Sequence, residues 1–376
     1  MRRLRAVRPL LFWIKDKSMV EQNKIIINEI PSKTWSWCKM NKAEVSFESG
    51  LENFLPEVRG ESGVEYTQNG TLLWDSLAET KGGVGSGADS LFDDALPVGI
   101  IAKKGSKVLA PVVLNYSFAD GSRGVTTQVI KAEEDSEVTV IILSSSQKSG
   151  GGFQALKTKI VAKANSKVHV IKVQLLGDGF VQVCDTASCC DESAEVEVTH
   201  IVLGGAKTYV GVGSNLKEYK SSFKSDLAYY TRGNQELDLN YIVLQYGKKT
   251  DCVMNVYGTM NDQSKKTYRG TIDFKNGCAG STGNEQEETL LLSPKVVNNS
   301  IPVILCDEED VSGEHGASIG RLSEDMLFYM ESRGISLEVA ENLIARAKVQ
   351  RVVNKIGDEK VCGQVEAFMD DLFGKI

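Results

Sequence analysis

The sequence predicts a mainly β protein, a stacked β-solenoid followed by a short helical region. Three observations lead there. A Ser/Ala-x-Val pattern returns as Ser106-Lys107-Val108, Ser136-Glu137-Val138, Ser166-Lys167-Val168 and Ala194-Glu195-Val196, so the valines step by 30, 30 and 28 residues. Between about residues 96 and 305, short β-branched runs alternate with Gly, Asn, Asp and Ser, and proline is almost absent. The last 55 or so residues change to helical spacing with a capping residue before each segment. A fixed period of this length marks a repeat architecture. One turn of strand cannot cover its own apolar face, and stacking turns sets valine over valine.

Taken in chain order, residues 1–18 read as an extension ahead of a plausible start at Met19. They carry Arg2, Arg3, Arg5 and Arg8 before an apolar run, Pro9 to Ile14, too short for a signal peptide core or a membrane span. Residues 19–95 form an N-terminal region marked by Ile25-Ile26-Ile27, Trp35 and Trp37. A short helix is expected to end over Asp75–Thr80, and Lys81-Gly82-Gly83-Val84-Gly85-Ser86-Gly87 reads as a mobile boundary loop. Residues 96–310 form the solenoid, with its repeat fading after about residue 210. In Glu195-Val196-Glu197-Val198 the valines face in and the glutamates out. Residues 311–376 form a helical domain. Ser323, Ser336 and Asp358 are the expected caps and Gly334 and Gly357 the stops. The expected apolar stripes are Met326, Leu327 and Met330; then Ala340, Leu343, Ile344 and Ala347, with Val352, Val353 and Ile356; then Val361, Val365, Phe368 and Leu372.

Composition narrows the function. With 43 basic and 50 acidic side chains, the formal charge of −7 argues against a general nucleic-acid binder, which needs a basic surface. Eight cysteines scattered over 376 residues fit a reducing compartment rather than a disulfide framework, so a cytoplasmic protein is expected, with no membrane partner. Only three histidines are present, which leaves few catalytic arrangements. Gly83-Val84-Gly85 and Gly211-Val212-Gly213 lack a following Lys-Ser/Thr and make no phosphate loop, so any ATP hydrolysis belongs to a partner.

Several blocks resemble the SufB/SufD family of iron–sulfur cluster assembly proteins. They are Tyr268-Arg269-Gly270-Thr271, Leu290-Leu291-Leu292-Ser293, Gly313-Glu314-His315-Gly316-Ala317-Ser318-Ile319-Gly320, and Leu327-Phe328-Tyr329 with Ser332-Arg333-Gly334-Ile335. Asn28-Glu29-Ile30-Pro31 with Thr34-Trp35 and Trp37 is similar to the family's entry motif. The match is closest to SufD or a divergent paralogue, because the cysteine of the SufB "CGAH" block is missing at Val296–Asn299, while Glu314-His315 matches a SufB block. The resemblance implies a right-handed parallel β-helix with an α-helical N-terminal segment and a C-terminal helical domain. It implies a non-enzymatic scaffold that pairs with a SufB-like paralogue, or with itself, and docks a SufC-like ABC ATPase through Phe328, Tyr329, Arg333, Leu343 and Ile344. It further implies no tightly bound cofactor, but a transient iron–sulfur cluster at the subunit interface.

His315, with Glu314 beside it, is the foremost candidate iron ligand, since imidazole and carboxylate both suit iron. Neighbouring residues on a strand face opposite ways, so the two can share a metal only if the chain turns there. A plain alternative is that His315 fixes a turn between strand and helix. Cys184, Cys189 and Cys190 form a weaker thiol cluster whose spacing fits no standard metal motif. The plain reading places them in an exposed loop between strands. His169 should point outward and do nothing specific. A polysaccharide-active β-helix enzyme is the alternative function; it would need an export signal and grouped acids in a cleft.

Overall fold

The computed structural model describes residues 22–32, 36–60, 62–77 and 80–374. The extension over 1–18, Met19, Thr34 and Trp35 lie outside the described residues. The chain opens with an antiparallel pair, β1 (Gln22–Ile27) and β2 (Ala43–Glu48). Three short strands follow, β3 (Glu52–Asn53), β4 (Glu57–Arg59) and β5 (Glu65–Thr67), then one helical turn, α1 (Thr71–Asp75). The expected helical N-terminal segment is therefore mostly strand. Ile25, Ile27 and Val45 favour a pleated surface, and a five-residue helix after Gly70 cannot sustain itself. That helix ends at Asp75, the first residue of the stretch over which its end was expected.

Eight turns of two strands each make the solenoid. They are β6 and β7 (Val98–Ala102, Val112–Phe118), β8 and β9 (Arg123–Ala132, Glu137–Ser146), β10 and β11 (Gly151–Ala162, Lys167–Leu175), and β12 and β13 (Gly179–Cys190, Glu195–Val202). Then come β14 and β15 (Lys207–Leu216, Ser222–Thr231), β16 and β17 (Glu236–Gln245, Asp251–Met260), β18 and β19 (Lys265–Phe274, Ser281–Leu291), and β20 and β21 (Val297–Cys306, Val311–Gly320). Even-numbered strands stack in parallel as one sheet and odd-numbered strands as the other. The predicted parallel β-solenoid is thus present.

Val138, Val168 and Val196 lie in direct register, facing the lumen. The same column continues through Phe223, Cys252, Gly283 and Gly313, so the repeat persists to residue 320 rather than fading near 210. The side chain at this position changes while the backbone ladder does not. The two glycines answer a bulky opposing wall: a Cβ on Gly283 would sit 3.2 Å, and one on Gly313 3.0 Å, from the Phe274 ring. The repeating serine closes a corner. Ser106, Ser136 and Ser166 each donate their hydroxyl at 2.6 Å to the carbonyl three residues earlier. The residue before the serine is left-handed at Asp135 and Asn165, and its amide bonds the same corner of the next turn.

Three apolar layers follow from the alternation. The lumen is one. The outer face of the odd sheet packs on helices α3 (Leu337–Val353) and α4 (Glu359–Phe373), which follow α2 (Glu324–Ser332). The outer face of the even sheet packs on the N-terminal segment. The glycine-rich stretch 81–87 is a packed strap here, not a mobile boundary. Val84 N donates to Asp185 Oδ1 at 3.1 Å, and Asn240 Nδ2 donates to Gly83 O at 2.7 Å. Gly83-Val84-Gly85 lies against Gly211-Val212-Gly213. A Cβ on Gly83 would collide with Val212 N, and one on Gly211 with Val84 N, so both motifs serve close backbone packing.

Ser323, Ser336 and Asp358 cap the three helices, accepting from Met326 N, Val339 N and Val361 N. Gly334 and Gly357 end the first two at φ +82° and +66°. The helical faces are rotated from expectation. On α3 the buried residues are Ala340, Ala345, Val349, Val352 and Val353, whereas Leu343 and Ile344 are half-buried and Ala347 is exposed. On α4 they are Val361, Val365, Met369 and Phe373, with Phe368 and Leu372 at the margin. The curved sheet selects which stripe is covered. On α2 no residue is buried. Residues 311–320 are the last solenoid strand, and α3 and α4 lie back on the odd sheet, so the helices open at residue 324 rather than 311. No described helix is long and apolar enough to cross a membrane.

Candidate functional site at the open end of the solenoid

Among the described residues, β20 and β21 each have a neighbour on one side only. Their side chains are mostly exposed or half-exposed, where those of inner strands are buried. His315 lies on β21 in register with Glu285 of β19, and Glu314 is in register with Asn284. Gly313 and Gly283 face the lumen, so by alternation His315, Glu285 and Glu287 do too. Glu314 faces out, where Asn284 Nδ2 donates to its Oε2 at 3.3 Å. The expected His315–Glu314 pair is therefore split across the strand. No turn lies at His315, because the strand runs on to Gly320, and no hydrogen bond to its ring is made among the described residues.

Beneath His315 lies a polar layer not picked out in the sequence. Lys266 of β18 forms a buried ion pair with Glu287. Lys266 Nζ also donates to Ser300 Oγ at 3.2 Å, Ser300 donates to Glu287 Oε2 at 2.5 Å, and Thr289 donates to Glu287 Oε1 at 2.9 Å. Glu285, also buried, has its carboxyl pushed up to about 7 by burial and by the Glu287 charge. Gly270 makes room for it: a Cβ there would sit 2.5 Å from the Glu285 carboxyl. Tyr268-Arg269-Gly270 thus divides its tasks. Tyr268 fills the lumen, and Arg269 turns outward, donating to Met40 O at 2.6 Å and pairing with Asp238 at 2.6 Å. Carrying the register forward from Val196 places 283, 285 and 287 inward, the one signal that would have exposed this layer.

Among the described residues, no three His, Cys, Asp or Glu side chains converge so as to hold a metal ion. A metal at His315 would need ligands from beyond the described residues. The three thiols lie in β12 rather than in an exposed loop, and all are buried. Cys184 and Cys190 face the lumen about 20 Å apart, at roughly 3.3 Å per residue, and Cys189 faces the other side of the strand. Burial raises all three thiols. They cannot share one metal. His169 points outward as expected but bonds Thr199 Oγ1 at 2.8 Å. His200 is sealed in the lumen with its Nδ1 2.9 Å from Tyr241 Oη. Beside the open end, α2 exposes Phe328 at 74% and Tyr329 at 59%, with the Arg333 guanidinium 5.2 Å from the Tyr329 ring centroid. Phe328 and Tyr329 lie on the exposed helix and Arg333 caps its C-terminus, and Leu343 and Ile344 remain partly accessible on α3.

Comparison with known proteins agrees with this architecture. Residues 117–348, from β7 into α3, match the family described as "SUF system FeS cluster assembly, SufBD core domain". The iron–sulfur cluster assembly protein SufD of Bacillus subtilis is 30% identical over 139 residues, 37% of this chain and 32% of that protein. SufB of the same organism is 24% identical over 254 residues, 67% of this chain and 54% of SufB. A chloroplastic SufBD family protein of Arabidopsis thaliana is 25% identical over 171 residues, 46% of this chain and 31% of its own. The matched segments span about a third to a half of these relatives. With the family match running over most of the solenoid, its open end and the first long helix, the chain belongs to the SufBD family of SUF-system iron–sulfur cluster assembly proteins.

Proposed function

We propose that this chain is a non-catalytic, SufD-like scaffold subunit that works in the cytoplasm within an iron–sulfur cluster assembly complex. The observation that carries the reading is the open end, where two unpaired strand edges flank a lumen-facing histidine. An unpaired edge is a template for another chain's strands. A SufB-like paralogue, or a second copy, adds its own last turn there and covers the polar layer. The nascent cluster is cargo at that junction. His315 supplies one ligand, and the partner supplies the thiolates this chain does not place there. Glu314, facing outward, is the weaker ligand candidate. Phe328, Tyr329 and Arg333 on α2, with Leu343 and Ile344 on α3, form the contact for a SufC-like ABC ATPase. An exposed aromatic pair with an arginine over one ring has the composition of an interface anchor.

The test is anaerobic co-expression with candidate SufB-like and SufC-like partners and isolation through this chain, followed by iron, sulfide and visible absorbance. A complex whose cluster content falls several-fold in His315→Ala, but not in Glu314→Gln, supports both the scaffold and the ligand. An intact complex with unchanged cluster removes His315 from the ligand set. No complex with any such partner overturns the scaffold reading.

A further inference from the structure

Near the middle of the solenoid, Lys172 on β11 and Cys184 on β12 meet across the lumen, one from each sheet. Lys172 Nζ lies 3.6 Å from Cys184 Sγ, and both side chains are enclosed. The remaining neighbours of Nζ are neutral acceptors, Thr186 Oγ1 at 2.6 Å and Asp185 O at 3.1 Å. The Asp185 carboxylate is on the outer face, where it accepts from Val84 N at 3.1 Å and lies 3.5 Å from Lys157 Nζ. Lys172 therefore has no carboxylate within ion-pair distance among the described residues, unlike Lys266, the lumen lysine paired with Glu287. Burial pushes the Lys172 amine down and the Cys184 thiol up, so the uncharged form of each is favoured beside the other. His200 is the register neighbour of Lys172, and burial, the larger cause, holds its imidazole well below the ordinary histidine value.

We propose that Lys172 and Cys184 form an oxidation site at which dioxygen joins them through one oxygen atom, as Nζ–O–Sγ, bracing one sheet against the other. One N–H bond, the S–H bond and the O–O bond break, and an N–O and an O–S bond form. Nitrogen and sulfur each give up two electrons. Dioxygen takes all four, and its second oxygen leaves as water with the two hydrogens. Two equivalents of a dithiol reverse the step, returning amine, thiol and one water. Dioxygen is small enough to reach an enclosed lumen through local opening of the fold. Cys190 and Cys252 face the same lumen but show no lysine hydrogen bond, so they serve as internal controls.

The experiment uses the full chain, purified once without oxygen in reductant and once exposed to air-saturated buffer. Each sample is denatured, alkylated and mapped by peptide mass. The expected result in the air-exposed sample is a joined pair of peptides containing Lys172 and Cys184, heavier than their sum by one oxygen less two hydrogens. One of the eight thiols is then lost to alkylation, and dithiothreitol restores both peptides. Lys172→Met and Cys184→Ser each abolish the joined species; the wild-type comparison decides the matter even if a variant fails to fold. An air-exposed chain in which Cys184 alkylates fully overturns the proposal. So does one in which Cys184 carries oxygen while the Lys172 peptide keeps its unmodified mass.

Discussion

At the N-terminal end of the solenoid, β5 lies antiparallel along β6 and β4 antiparallel along β7, and Phe54 packs on Phe118 with ring centroids 5.0 Å apart. At the C-terminal end nothing described lies along the outer edge of β20 or β21, and beside Ile304 and Val311 the lumen there carries Lys266, Glu285, Glu287, Ser300 and His315. One end thus carries a reversed-strand plug of the kind that stops a solenoid from stacking on its neighbours. The other keeps its outer edges free and sets polar side chains into its last layer, which tolerate water. The C-terminal helices do not close it, because α3 and α4 lie on the flank of the odd sheet, and Arg59 of β4 ties the start of α4 to the plugged end through Asp358. A repeat fold that plugs one end only has a direction.

The largest effect should come from breaking the polar layer. Lys266→Met leaves Glu287 buried without its cation and should cost about 3–5 kcal/mol in urea unfolding, whereas adding Glu287→Leu should recover most of the loss. A single-variant loss no larger than that of a surface change would show that the open end is already wet. At the plugged end, Phe54→Ala should cost about 2 kcal/mol, less than a fully enclosed phenylalanine because the ring is only partly buried. Pull-down of a partner should be unaffected by it, and a lost complex would contradict the division between the ends.

Between the two ends, His200 provides a pH readout. Its folded value lies well below the ordinary histidine value, so the unfolded chain binds the extra proton. Its contribution is complete above about pH 6.5 and is lost as pH falls below that, by up to about 1.4 kcal/mol per pH unit. In His200→Gln that part of the slope should vanish from thermal unfolding curves recorded between pH 7 and 5. The smallest effect on stability should come from the free edges. Ile319→Lys with Val297→Lys, both at half-exposed positions, should change unfolding by less than about 0.5 kcal/mol while weakening partner capture at least tenfold. Equal capture by the double variant would place the interface elsewhere.

Much of this was legible locally. The Ser-x-Val recurrence reports a corner closed by a hydroxyl and a strand begun by an inward valine, and both signals sit within a few residues of each other. The caps at Ser323, Ser336 and Asp358 were readable for the same reason. The repeat beyond residue 210 was not, since Phe223, Cys252 and Gly283 hold the valine's place, and only the facing Phe274 shows why a glycine fits there. The glycine strap read as a linker because glycine at 82 and 83 has the same letters whether it is free or pressed against Asp185 and Val212.

At the site the division is sharper. His315 and the helix of Phe328 and Tyr329 stood out as motifs in the chain, and the alternation of a strand was enough to warn that Glu314 faces away from its neighbour. Sequence alone therefore determined the repeat as far as about residue 210, the caps of the three C-terminal helices and the family, because each depends on residues close together in the chain. Only the tertiary structure decided that Glu285 underlies His315, that Lys172 reaches Cys184, that α3 turns Val349 rather than Leu343 to the sheet, and that one end is plugged and the other free. Those facts rest on which strands lie side by side, a matter of register between residues some 30 positions apart, or on which surface a helix finally meets.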